Sequence, residues 1–272
     1  MHIGIEDYCE DIVMKSQRGL EITTDELSSL SGVSREGILA ARKGRGEEAD
    51  ILKIAPHLKL DSAKLLKSFH KAWQPTEKTI YQLFQTNTLF YEDMTVNAYL
   101  IWDKASKKAA IFDTGVNADD LIKTVTHLKL SLEAIFLTHT HKDHVFDLDK
   151  LKKGTGNPPV YVSRLEPFPD TTLIDEGFSY QLGDINIRAL DTTGHSAGGI
   201  TYVIEGMDQK IAITGDALFA GSLGGGLISY KDALNYVETK ILTLPDDTLL
   251  CPGHGPVTSV KEEKANNPFF HF

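Results

Sequence analysis

Six consecutive positions carry four side chains that bind metal ions: His139, His141, Asp143 and His144, in the order H-x-H-x-D-H. One short loop cannot aim all four at a single ion, but it can divide them between two neighbouring ions. Imidazole with carboxylate suits zinc, and also iron or manganese. The apolar run Ala134-Ile135-Phe136-Leu137 just before the cluster reads as a buried strand, which would hold the loop rigidly. Three more residues of the same chemistry follow, His195, Asp216 and His254, each beside glycine. Gly194, Gly215, Gly253 and Gly255 let backbone pass close to a ligand.

The stretch Thr138-His139-Thr140-His141-Lys142-Asp143-His144 is the signature of the metallo-β-lactamase superfamily, and the chain resembles that family from about Ile80 to its end. Phe112-Asp113-Thr114-Gly115, Thr193-Gly194-His195-Ser196, Thr214-Gly215-Asp216 and Pro252-Gly253-His254-Gly255 occur in the family's order. The resemblance implies that His139, His141 and His195 hold one divalent ion, that Asp143, His144 and His254 hold a second, and that Asp216 bridges them. Zinc is the expected metal, with iron or manganese as alternatives. Asp113 would orient the loop as an outer partner of the ligands. Two such cations lower the pKa of a shared water from about 16 to near 7 and polarise a carbonyl under attack. The expected reaction is therefore hydrolysis of an acyl bond without a covalent enzyme intermediate. Asp143 and Asp216 would be the catalytic carboxylates that confine the nucleophile, and Asp143 would pass a proton to the leaving group.

Within the family, Gly215-Asp216-Ala217-Leu218-Phe219-Ala220-Gly221-Ser222 and the ending Glu263-Lys264-Ala265-Asn266-Asn267-Pro268-Phe269-Phe270 are similar to the glyoxalase II type, particularly its short bacterial members. That likeness implies a small-molecule thioester substrate, an S-acyl-glutathione such as S-D-lactoylglutathione. Two places depart from the pattern. Leu223-Gly224-Gly225-Gly226 stands where relatives commonly have an Arg-Thr-Asp stretch, and Val145-Phe146-Asp147 stands where small residues often follow the histidine loop. An anionic thiol would want cations near the metals, for which Lys142, Arg164 and Lys231 are candidates. Rival readings are a persulfide dioxygenase with a single iron, a lactonase and, from another class, a DNA-binding regulator with a hydrolase-like sensor domain.

Strand and helix signals alternate around these motifs. Strands are expected in TIYQLFQT, TVNAYLIWD and KAAIFDTG, then at 133–137, near Val160, and at 185–189, 201–204, 210–213 and 249–251. Helices are expected at 117–129, near 147–152 and at 230–242. With every histidine motif at a strand end, the expected fold is α+β, a four-layer αβ/βα sandwich over residues 79–272. A small all-α domain would precede it, over residues 1–78.

In that first part, apolar residues recur at helical spacing between Thr23 and Phe69. The segment TTDELSSLSGVSREGILAARKGR resembles the helix-turn-helix of the lambda-repressor-like family, with Gly32 in the turn and Ser34–Arg42 as the recognition helix. The resemblance implies possible DNA contacts at Arg35, Arg42, Lys43 and Arg45, set against a packing or oligomerisation role. Charge argues against tight nucleic-acid binding by the whole chain: residues 1–78 hold 12 basic against 13 acidic side chains, and residues 79–272 hold 16 against 25. Cys9 and Cys251 form no paired spacing, which fits a reducing compartment. With an acidic start, no signal-peptide pattern and no apolar stretch of membrane-spanning length, the expectation is a cytoplasmic protein without membrane contact.

Overall fold

The computed structural model describes residues 3–92 and 94–272. Five helices come first: α1 (Cys9–Gly19), α2 (Thr24–Ser31), α3 (Arg35–Ala41), α4 (Glu48–Ile54) and α5 (Ser62–Phe69). Their boundaries follow local chemistry. Thr23 and Glu26 form a reciprocal capping box at the start of α2, Gly32 ends that helix in the left-handed conformation, and Ser34 and Asp61 cap α3 and α5 through their side-chain oxygens. The sequence reading began its helices at Thr23 and missed α1. That helix starts at Tyr8 without the Ser/Thr/Asp/Asn signature that would announce it.

The first sheet takes the strands in chain order: β1 (Leu83–Tyr91), β2 (Met94–Trp102), β3 (Lys108–Phe112), then, after α6 (Asp119–His127), β4 (Ser131–Phe136). After α7 (Lys142–Val145) and α8 (Leu148–Gly154) come β5 (Val160–Ser163) and β6 (Thr172–Ile174). The second sheet is built from β7 (Ser179–Leu182), β8 (Ile185–Asp191), β9 (Ile200–Glu205) and β10 (Ile211–Gly215). Following α9 (Tyr230–Tyr236), it is completed by β11 (Leu249–Pro252) and β12 (Thr258–Ser259), and α10 (Val260–Asn266) follows. The first strand lies further along the chain than expected. Its polar half, Asn87-Thr88, continues the ladder because it pairs with Asn97 and Val96 of β2. The strands β6, β7 and β12 were not expected, being two to four residues long.

Alternation along the strands sorts side chains into layers. Tyr99, Ile101, Phe112 and Phe136 point between the sheets and meet Ile187, Tyr202, Ile204, Ile213 and Cys251. Ala98, Leu100, Ile111 and Ile135 point the other way, against Leu121 and Val125 of α6 and Leu151 of α8. Val203, Ala212 and Leu250 point out from the second sheet into a cluster that holds Val237, Ile241 and Val260. The same cluster includes Cys9, Ile12, Leu27, Ile38, Ile51 and Leu65, so the N-terminal helices share one core with the outer layer of the second sheet. Among the described residues, no helix is long and apolar enough to cross a membrane.

Candidate metal centre

Three strands of the second sheet and two of the first deliver the chemistry to one edge. The parallel pair β3 and β4 ends at Phe112 and Phe136, just before Asp113 and the loop from Thr138 to His144. The parallel pair β10 and β11 ends beside Asp216 and His254, and His195 follows β8, which runs in the same direction.

At that edge two donor groups form. His139, His141, His195 and Asp216 make one, and Asp143, His144 and His254 make the other, with the donor atoms of each group within 4.8 Å of one another. Asp216 reaches both. Its Oδ2 lies 3.4 Å from His195 Nε2, 3.9 Å from His139 Nε2 and 3.3 Å from His254 Nε2, and its Oδ1 lies 3.3 Å from His144 Nε2. His254 Nε2 is also 3.3 Å from Asp143 Oδ2. These residues are separated by up to 115 positions in sequence and meet in the folded chain.

Four of the imidazoles have Nδ1 engaged on the outer side. His144 Nδ1 meets Asp113 Oδ2 at 2.8 Å, His139 Nδ1 meets Thr138 Oγ1 at 3.1 Å, His195 Nδ1 meets the Gly224 carbonyl at 2.7 Å and His254 Nδ1 meets the Thr95 carbonyl at 2.7 Å. That arrangement turns each Nε2 inward, as ligating histidines require. Inside, His139 Nε2, His144 Nε2 and Asp216 Oδ1 are buried without a hydrogen-bond partner. Buried orphans of this kind are costly unless something outside the chain satisfies them. The donor types, their spacing and these orphans all fit divalent ions.

The electrostatics of the donors differ from one side chain to the next. Burial favours neutral imidazole at His144, but the carboxylates of Asp216 and Asp113 overcome it and push the ring up to about 10. Burial is likewise outweighed at His254, which Asp216 and Asp143 raise to about 11. Burial alone would lift Asp216, yet His254 and His144 hold it well below the usual carboxylate range. His139, dominated by burial and by the neighbouring His144, is pushed well below its ordinary value. Asp216 is thus held as a carboxylate and His139 as a neutral imidazole, the forms that donate to a cation, whereas His144 and His254 carry protons that a bound metal would displace.

Asp113 is the hub on the first-sheet side. It accepts from the Thr138 backbone N–H at 2.8 Å and the Thr138 hydroxyl at 2.7 Å as well as meeting His144. Sequence reasoning missed Glu166, which accepts from Thr140 N and Oγ1 at 2.8 and 2.6 Å and from Gly198 N at 2.8 Å, joining the histidine loop to the His195 turn. It also missed Asn97, whose amide donates to the Pro252 and Gly255 carbonyls at 2.9 and 2.8 Å and pins the turn that carries His254. Gly253 has a steric reason: a Cβ there would stand 2.1 Å from Asp216 Oδ1.

The other candidates lie elsewhere. Arg35 is on α3 and pairs with Asp25 of α2, while Arg42, Lys43 and Arg45 follow in the turn after α3. Arg164 is engaged with Asp175, and Lys142 lies 5.7 Å from the Phe146 ring centre. Lys231 is exposed at the start of α9.

Residues 91–254 match the family model described as the metallo-beta-lactamase superfamily. The chain belongs to that superfamily. Among metallo-β-lactamase relatives, it is 34% identical over 200 residues to a probable metallo-hydrolase of Streptococcus pyogenes serotype M6, covering 64% of this chain and 84% of that one. It is 33% identical over 199 residues to the hydroxyacylglutathione hydrolase GloC of Haemophilus influenzae, covering 64% and 92%. The crystal structure of ETHE1 from Myxococcus xanthus superposes with a TM-score of 0.60 at 28% identity, covering 68% of this chain and 83% of that one. The α+β fold with two sheets and flanking helices is that of the superfamily, and the chain is a metallo-hydrolase by membership.

Proposed function

We propose that this metallo-hydrolase cleaves acyl thioesters of the S-acyl-glutathione class with two divalent ions, zinc first among them. His139, His141 and His195 hold one, Asp143, His144 and His254 hold the other, and Asp216 serves both. The observation that carries this reading is the convergence of seven donors with Asp216 in reach of both groups. The thioester class rests on the likeness to GloC. When bound, the ions lower the pKa of a coordinated water and polarise the acyl carbonyl.

The chain's own residues do the rest. Asp113 fixes the His144 ring and Glu166 fixes the histidine loop relative to His195, so the donors stay in place as charge develops. Burial alone would lift the Asp143 carboxyl, but His254, 3.3 Å from Oδ2, and His144 hold it below its usual range, so it stays a charged donor. A thiolate leaves readily at neutral pH, so little acid catalysis is needed. For an anionic substrate, α1 supplies one further cation: a Cβ at Gly225, next to the carbonyl that orients His195, would meet the Arg18 guanidinium at 3.4 Å.

Thiol release from S-D-lactoylglutathione by the zinc-loaded chain is the direct test. Hydrolysis of that thioester in preference to a lactone is expected. A chain carrying one iron that consumes oxygen with glutathione persulfide, and leaves the thioester intact, would overturn the reading in favour of a persulfide dioxygenase.

A further inference from the structure

The run Leu223-Gly224-Gly225-Gly226, which departs from the family pattern, is squeezed from two sides. On one side lies the metal centre. A Cβ at Gly224 would stand 1.9 Å from the Asp216 carbonyl oxygen and 3.0 Å from His195 Nδ1. The Gly224 carbonyl is itself the group that orients the His195 ring, at 2.7 Å.

On the other side lies α1. The Lys15 ammonium donates to the Leu223 carbonyl at 2.6 Å, pairs with the Asp7 carboxylate and stands 5.0 Å from the centre of the Phe219 ring. That ring meets the His254 imidazole edge to face, with centroids 5.4 Å apart. One ammonium therefore touches the supports of a histidine from each donor group. The Lys15 and Asp7 side chains are only 17% and 8% exposed, so salt screens the pair little. Without the ammonium, Asp7 would be left as a buried unpaired charge and the Leu223 carbonyl would lose its donor. The family match begins at residue 91, so this prop comes from outside the part that the superfamily shares.

We infer that Lys15 is a positioning residue for the metal centre: it fixes the Leu223–Gly224 segment that aims His195 and the Phe219 ring that backs His254. Helix α1 is then part of the centre's frame rather than an appended module. The inference rests on the reading of His195 and His254 as ligands.

The test is zinc affinity of the full chain, by competition with a chromophoric chelator, together with the visible absorption of the cobalt-substituted protein. Lys15→Met is expected to weaken zinc binding by several-fold, less than the roughly 10- to 100-fold found for direct partners of metal ligands, and to alter the cobalt spectrum. Lys15→Arg, which keeps a donor and a charge, should recover most of the loss. Because Lys15 acts in part through His195, adding Lys15→Met to His195→Ala should weaken binding by less than it does alone. Should Lys15→Met fail to fold, Asp7→Asn frees the ammonium from its anchor and should shift affinity in the same direction. Zinc affinity within about twofold of the native chain with an unchanged cobalt spectrum, or strict additivity with His195→Ala, would overturn the inference. If His195→Ala alone leaves zinc binding unchanged, the ligand reading falls, and the inference with it.

Discussion

Buried charge is handled in opposite ways at the metal centre and around α10. Beside α10, the Lys64 ammonium donates to the carbonyls of Lys264 and Phe270 at 2.7 and 2.6 Å. The Glu263 carboxylate accepts from Gly221 N, Thr258 Oγ1 and Asn267 Nδ2, the closest contacts being 2.8 to 2.9 Å. In the metal centre, His139 Nε2 is equally enclosed without a hydrogen bond, and so are His144 Nε2 and Asp216 Oδ1, which face each other at 3.3 Å. A satisfied buried charge is architecture; an unsatisfied one marks a place where a ligand completes the structure.

The largest effect that sharpens this contrast is expected from Asp216→Ala. It removes the one carboxylate in reach of both donor groups, so hydrolysis and metal affinity should fall by more than the roughly 100-fold typical of an outer partner. Retention of both ions with near-native turnover would erase the distinction. Asp113→Ala should come next: the His144 ring loses its anchor, and metal binding measured by dialysis should weaken by about 10- to 100-fold while the fold survives.

Around α10 the expected effect is on stability instead. Burial lifts Glu263 to about 7 even though Asn267, Thr258 and Gly221 all donate to it. The folded chain then keeps a proton that an unfolded carboxyl, with its ordinary value of 4.5, gives up. Between pH 4.5 and 7 the native state keeps the Glu263 proton, so the contribution of Glu263 to stability falls as pH rises through that window and levels off above it. The whole shift corresponds to about 3 kcal/mol. Denaturant melts at several pH values should show that slope in the native chain and its loss in Glu263→Gln. Metal content should be nearly unaffected by that substitution.

The two regions also differ in how far sequence disclosed them. H-x-H-x-D-H is legible because its donors are local, and His195, Asp216 and His254 are legible because glycine flanks each. Asp113 is legible for the same reason, lying in a short motif at a strand end. Glu166 carries no comparable signal, since it acts from the turn after β5 on two loops distant in sequence. The Thr95 and Gly224 carbonyls that orient His254 and His195 are backbone groups, which any residue possesses. Periodicity conveyed the sandwich but not the place of the N-terminal helices. Their apolar faces look like those of a free-standing bundle until Cys9, Ile12 and Leu65 are seen in one cluster with Val203 and Leu250. Lys15 was unread because α1 was unread.

Metal counting by native mass spectrometry on the zinc-reconstituted chain, with S-D-lactoylglutathione hydrolysis followed on the same samples, tests the two-ion centre most directly. Two ions per native chain are expected, with His141→Ala losing metal from the centre and activity together. A single tightly held ion in the native chain, or unchanged metal content in His141→Ala, would contradict the account.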